Sequence, residues 1–150
     1  MTHYIGLNLF IVVVVIESFK IKCNVQVASL VLVKVKQSDK IFGGYSSIGL
    51  NTLGNNCTFK DGYRFYKASD NFIFSFSNSE DIQNMKISRV VNDSKAIIVK
   101  TAGFNFGFGS LCMIDQNLHL NNYSGSYENV LDTDTVFTIE EIETFVLENQ

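Results

Sequence analysis

Phe72, Phe74 and Phe76 recur at every second position, separated by Ile73 and Ser75. Successive side chains of an extended strand point to opposite faces, so this spacing puts three phenyl rings on one face. Burying each ring contributes about 1.5–3 kcal/mol, so the segment is expected to anchor a deep core. The composition points the same way. Phe occurs 13 times and Pro is absent, and Phe, Tyr, Val and Ile favour pleated, half-buried surfaces. With 46% hydrophobic and 18% charged residues the chain is globular rather than disordered. Its 150 residues make one domain, large enough to fold without a disulfide or a metal.

The rest of the chain reads as short strands between turns. Leu30-Val31-Leu32-Val33-Lys34-Val35-Lys36 begins fully apolar and ends alternating, as a strand does when it emerges into solvent. Gln37-Ser38-Asp39-Lys40 has turn composition, and Ile41-Phe42 restarts the apolar pattern, giving a β-hairpin. Gly43-Gly44 then predicts a bend or bulge. Residues 46–71 read as a long surface loop with short structured pieces. Ser79-Glu80-Asp81-Ile82 starts like a capped turn or short helix. Ala96–Val99, Leu111–Ile114 and Leu118–Leu120 are further strands, the last two joined by a turn at Asp115–Asn117. Phe104, Phe106 and Phe108 share one face by the same alternation. Glu140, Glu141 and Glu143 would suit a helix start by dipole logic. Regularly spaced short strands with turn signals argue for an all-β sandwich.

Charge excludes one class of partner. Net charge is −3, and from Asn121 onward there are seven acids and no Lys or Arg. Nucleic-acid binding by a basic footprint is therefore not expected. The acidic part suits either a basic partner surface or plain solvation. Cys23, Cys57 and Cys112 are odd in number and widely spaced, which is no disulfide framework and suits a reducing compartment. The apolar run Leu9–Ile16 is too short for a membrane span, so no integral membrane segment is expected. It reads as a buried strand ahead of a signal peptide, because no Lys or Arg precedes it. A cytoplasmic location follows, with secretion as the alternative if residues 1–28 are a signal. Asn56-Cys57-Thr58, Asn92-Asp93-Ser94 and Asn122-Tyr123-Ser124 would carry glycans only in that case.

Chemistry-bearing patterns are sparse. The cysteines with His3 and His119 contain no close ligand pair, so no zinc site is expected, and no other cofactor signature is present. Asp132-Thr133-Asp134 lacks the glycine of an EF-hand loop. Gly103, Gly107 and Gly109 are not followed by the Lys-Ser/Thr of a phosphate loop. A hydrolase would need Ser110 or Cys112 as nucleophile with His119 as base, but Gly-x-Ser-x-Gly is missing. Glu141 and Glu143 share one strand face; they are either an acidic pair or an exposed face opposite Ile142.

Four clusters in order carry a family likeness: Phe42-Gly43-Gly44-Tyr45, Phe72-Ile73-Phe74-Ser75-Phe76, Gly103-Phe104-Asn105-Phe106-Gly107-Phe108-Gly109, and Phe137-Thr138-Ile139-Glu140-Glu141-Ile142-Glu143. Together they resemble the TLDc domain family, found in oxidation-resistance and nuclear-receptor-coactivator-like proteins. The resemblance covers roughly Leu30 to Glu148. It implies a mostly β fold with minor α, a two-sheet antiparallel β-sandwich with a few short flanking helices, and a terminal strand instead of a helix at Glu140, Glu141 and Glu143. It sets residues 29–150 as the domain and 1–28 as an atypical apolar segment. The family's opening helix with an Arg-Asp-Gly-like stretch has no counterpart in residues 1–28, so an N-terminally truncated or atypical domain is expected. Phe145 stands where the family commonly has Trp. The motif residues expected to matter, structurally or in interaction, are Phe42, Gly43, Gly44, Tyr45, Phe72, Phe74, Phe106, Gly107, Gly109, Glu141 and Glu143. The resemblance also implies a non-enzymatic protein-interaction module in stress response. Its expected partner is a protein, the soluble sector of the vacuolar proton-pumping ATPase.

Overall fold

The structure, a computed structural model, describes residues 27–36, 38–50, 57–60, 62–78, 84–98, 103–121 and 123–148. The readings of the apolar run Leu9–Ile16 and of Ser79–Ile82 lie outside the described residues.

Among the described residues, eleven antiparallel strands form one hydrogen-bonded sheet. They are β1 (Val27–Val35), β2 (Ile41–Ser46), β3 (Thr58–Lys60), β4 (Tyr63–Tyr66), β5 (Phe72–Phe76), β6 (Lys86–Arg89), β7 (Ile97–Ile98), β8 (Asn105–Phe106), β9 (Leu111–Ile114), β10 (Asn117–His119) and β11 (Val136–Glu148). The order across the sheet is β3-β4-β7-β8-β9-β10-β11-β1-β2-β5-β6. The mostly β, antiparallel expectation holds. The helical content among the described residues is one 3-10 turn, Asp93–Lys95.

Alternation decides which residues go where. On β1, Val31, Val33 and Val35 face one way and Ala28, Leu30 and Leu32 the other, and both sets are buried. The first set joins Phe42, Ile73, Tyr66, Ile97, Phe106, Leu111 and Leu118 in one inner core. Those residues come from strands far apart in sheet order. The sheet therefore curls, setting β1, β2 and β5 against β7 to β10. The second set joins Ile41, Tyr45, Phe72, Phe74 and Phe76 on the outer face. The three phenyl rings do share a face and are fully buried. They pack ring against ring, at 6.0 Å for Phe72–Phe74 and 5.8 Å for Phe74–Phe76.

The terminal segment is a strand, not a helix, because β11 pairs with both β10 and β1. One bulge interrupts it: Val35 pairs with Ile139 and Lys34 with Glu141, leaving Glu140 extra. An inserted residue shifts the alternation by one. Phe137 and Ile139 therefore serve the inner core while Phe145 joins the outer cluster.

Three expectations are corrected. Gly43-Gly44 makes neither bend nor bulge, since β2 runs in unbroken register with β1 and β5. The stretch 46–71 has the short structured pieces expected of it, in the β3–β4 hairpin, but is not all surface: Phe65, Tyr66 and Ala68 are buried. Phe108 does not share the face of Phe104 and Phe106. The chain turns left-handed at Gly107 (φ 66°) and Phe108 (φ 56°), and the Phe108 ring goes outward.

Candidate functional site

The family-motif residues are packing residues. On the inner side, the Phe42 ring lies 5.0 Å from Phe137, and Phe106 lies 5.9 Å from Phe104. A Cβ on Gly44 would sit 2.6 Å from the Phe106 ring, so this glycine lets β2 close onto β8. On the outer side, a Cβ on Gly43 would meet the Phe74 ring and sit 2.6 Å from the Val31 carbonyl oxygen. Tyr45 stacks on Phe72 at 5.2 Å.

Gly107 and Gly109 shape the turn between β8 and β9. The Gly107 N–H donates to the Ala96 carbonyl at 3.0 Å, and a Cβ there would reach Tyr127 at 2.5 Å. The Gly109 N–H donates to Asn105 Oδ1 at 2.7 Å. The Asn121 N–H donates to the Gly109 carbonyl at 3.0 Å. Behind this turn the Tyr127 hydroxyl donates to the Ala96 carbonyl at 2.8 Å. Burial pushes the Tyr127 phenol far above its ordinary value, with a smaller opposing effect from Asn71. The Tyr66 phenol is likewise raised, by burial first and by its hydrogen bond to Cys57 second.

Glu141 and Glu143 stand on β11 opposite Lys34 and Leu32, on the outer face, with one carboxylate oxygen of each buried. Lys34 Nζ instead reaches Glu140, at 3.3 Å. Asp132 is tied to Lys40 at 2.9 Å. Burial tends to raise the Asp132 carboxyl, but the Lys40 hydrogen bond and the N–H of Asp134 outweigh it and hold the group below the usual carboxylate value.

The catalytic alternative is only partly assembled. Cys112 and His119 are directly opposite each other across β9 and β10, so their side chains share a face. Cys112 is buried, and its thiol lies 3.8 Å from the Met113 carbonyl. Ser110 is buried in the β8–β9 turn, its hydroxyl 3.5 Å from the Gly107 carbonyl. Among the described residues, no group of three or more His, Cys, Asp or Glu is placed to hold a metal ion. No helix among them is long and apolar enough to cross a membrane.

One surface was missed by sequence reasoning. Tyr63, Phe65 and Phe108 form a triad with centroids 5.2 to 6.4 Å apart. Tyr63 is 45% and Phe108 42% exposed. Lys95 Nζ lies 5.8 Å from the Phe65 ring centre. On the neighbouring strand Phe59 is 66% exposed, with the Arg64 guanidinium 6.0 Å from its ring centre. The available signal was Tyr63-Arg64-Phe65 directly after Asp61-Gly62, a hairpin dipeptide followed by alternation.

Most of the residues singled out for chemistry are thus placed in packing, turns or ion pairs on a wholly antiparallel β scaffold. That defines the molecule as a β-sheet domain of the kind that presents loops and edges. The family model for the TLDc domain matches residues 14–148, and the chain belongs to the TLDc family. The match takes in Val14, Val15 and Ile16 of the N-terminal apolar run. No curated protein matches the chain.

Proposed function

We propose that this chain is a non-enzymatic protein-interaction module. Its partner is the soluble, ATP-hydrolysing sector of the vacuolar proton pump, and its setting is the cytoplasmic response to oxidative stress. The observation that carries the reading is the family match over residues 14–148. A rigid sheet with loops at its ends suits recognition rather than turnover. The eleven motif residues support this indirectly, as the packing that keeps the presenting surface rigid. The same reading keeps the two-sheet antiparallel sandwich with a few short flanking helices as the architecture of the domain. The alternative location is outside the cell, if residues 1–28 act as a signal.

Co-sedimentation of the purified chain with purified soluble pump sector tests the partner. Co-migration with a changed rate of ATP hydrolysis is expected. Separate migration at micromolar concentrations removes the pump from the proposal.

A hydrolase reading is retained for one observation, the register of Cys112 opposite His119. His119→Ala separates the two. The module reading expects unchanged pump binding and no esterase activity in either protein. Turnover of a generic ester by the native chain, lost in the variant, would favour the enzyme.

A further inference from the structure

The two outermost strands of the sheet are treated differently. At one end, β6 is sealed. The Arg89 N–H donates to Glu128 Oε1 at 2.8 Å, and the Glu128 N–H donates to the Arg89 carbonyl at 2.9 Å. The Asn129 N–H donates to Ser88 Oγ at 2.9 Å, and Val90 bridges to Tyr127. At the other end β3 is outermost among the described residues, and all three of its residues are exposed. An open edge is a template for another strand, and proteins normally close or blunt it.

The register says which atoms the open edge offers. Lys60 pairs with Tyr63, with only Asp61 and Gly62 between them in sequence, Phe59 with Arg64, and Thr58 with Phe65. In such a hairpin the pair closing the turn is hydrogen-bonded, and bonded and unbonded pairs alternate outward. Phe59 therefore falls in an unbonded pair. Its N–H and carbonyl point away from β4, toward whatever lies beside β3.

Side chains around this edge share one chemistry on both faces. Opposite residues project to the same side. One face carries Phe59 and Arg64; the other carries Thr58, Lys60 and Tyr63, continued by Phe65, Phe108 and Lys95. Each face thus pairs an exposed aromatic ring with a cation. Lys67 stands nearby, 3.8 Å from Asp93, and Asp61 is the acid within the hairpin sequence. This cationic corner belongs to a chain of net charge −3.

We propose that β3 is a docking edge for an extended, acidic segment of a partner protein. The segment adds as a strand beside β3, with acidic and apolar side chains meeting Arg64, Lys60, Phe59 and Tyr63. Main-chain bonds to Phe59 supply affinity, and the rings and cations on the two faces supply selectivity. A single-stranded nucleic acid would also find rings and cations, but it has no peptide backbone to match the outward N–H and carbonyl of Phe59. The proposal rests on the interaction-module reading and names its surface.

Fluorescence anisotropy of the full 150-residue chain tests it, with a labelled peptide of about eight residues that alternates Glu with Val and Phe. A peptide with Lys at every Glu position is the control. The acidic peptide is expected to bind about tenfold tighter than the control, less so as salt is raised. Phe59→Pro removes the outward N–H and the exposed ring but no bond of the hairpin, so thermal unfolding is preserved while binding falls by about tenfold, further than in Phe59→Ala, which keeps the N–H. Arg64→Glu with Lys60→Glu reverses the preference between peptides. Equal binding of both peptides, native affinity in a folded Phe59→Pro, or tighter binding of a single-stranded oligonucleotide would overturn the proposal. The same variants are carried through the pump co-sedimentation. Peptide binding without pump binding strikes the partner assignment; pump binding without peptide binding strikes the edge.

Discussion

Gly43 and Gly44 sit side by side, yet their hydrogens face opposite cores. Gly43 is pressed against the Phe74 ring and the Val31 carbonyl, and Gly44 against the Phe106 ring. A backbone oxygen cannot move aside as a ring can. Gly43→Ala is therefore expected to cost more than Gly44→Ala, each within about 1–3 kcal/mol of overpacking strain, as urea denaturation would measure. Gly62→Ala is a useful contrast, since it has open space and a φ of 84°. Its cost comes from the backbone alone, about 1 kcal/mol. Tyr127→Phe removes one of two donors to the Ala96 carbonyl, the Gly107 N–H remaining, so the loss should be that of one hydrogen bond, about 0.5–1.5 kcal/mol in the same assay. Sequence alone marked positions 43 and 44 as glycines needed for a bend or bulge. It misplaced the reason, because the crowding groups Phe74 and Phe106 arrive from strands paired or packed only in the folded sheet.

Elements explain what alternation revealed and what it hid. Period-2 spacing exposed β5, where Phe repeats on one face, and the alternating end of β1. It failed at Phe108, where three consecutive positive φ angles, at Gly107, Phe108 and Gly109, reverse the chain. Such angles are rare for a bulky residue and are not written in its hydrophobicity. It also failed at the β3–β4 hairpin, whose strands are too short to show a period. The bulge at Glu140 makes a sharp test. Deleting Glu140 leaves Ile139 inward and Glu141 and Phe145 outward, so circular dichroism and urea unfolding should show a folded, slightly weakened protein. Deleting Ile142 flips Glu143 and Phe145 to the wrong face and should abolish cooperative unfolding. The Lys40–Asp132 pair joins the start of β2 to the segment before β11. Asp132 titrates below its unfolded value of about 3.9. Its contribution is therefore present above that pH and is lost as pH falls through the lower folded value. Asp132→Asn should lower stability by up to about 1 kcal/mol at pH 7 and flatten the acid limb below about pH 4.

At the scale of the molecule, sheet order departs widely from chain order. β11 lies between β10 and β1, and its pairing with β1 joins Val27 to Glu148. Contacts of such sequence separation slow folding, so stopped-flow refolding should fall in the millisecond-to-second range. Truncation after Thr135 would leave β1 and β10 as open apolar edges, and gel filtration should then find aggregates rather than monomer. The family was legible because its motifs are packing motifs, each visible as a local run of rings and glycines. The edge at β3 was not, because an edge exists only once every other strand has found its neighbour.

The place of β11 also bears on how the chain is made. A ribosome adding about 5–20 residues per second releases this strand after all ten others. Until then the nascent sheet is split down its middle, with two sticky margins exposed for some seconds. Synthesis of this protein should therefore lean on chaperones that shield unpaired strands, and on them most in the interval before β11 emerges.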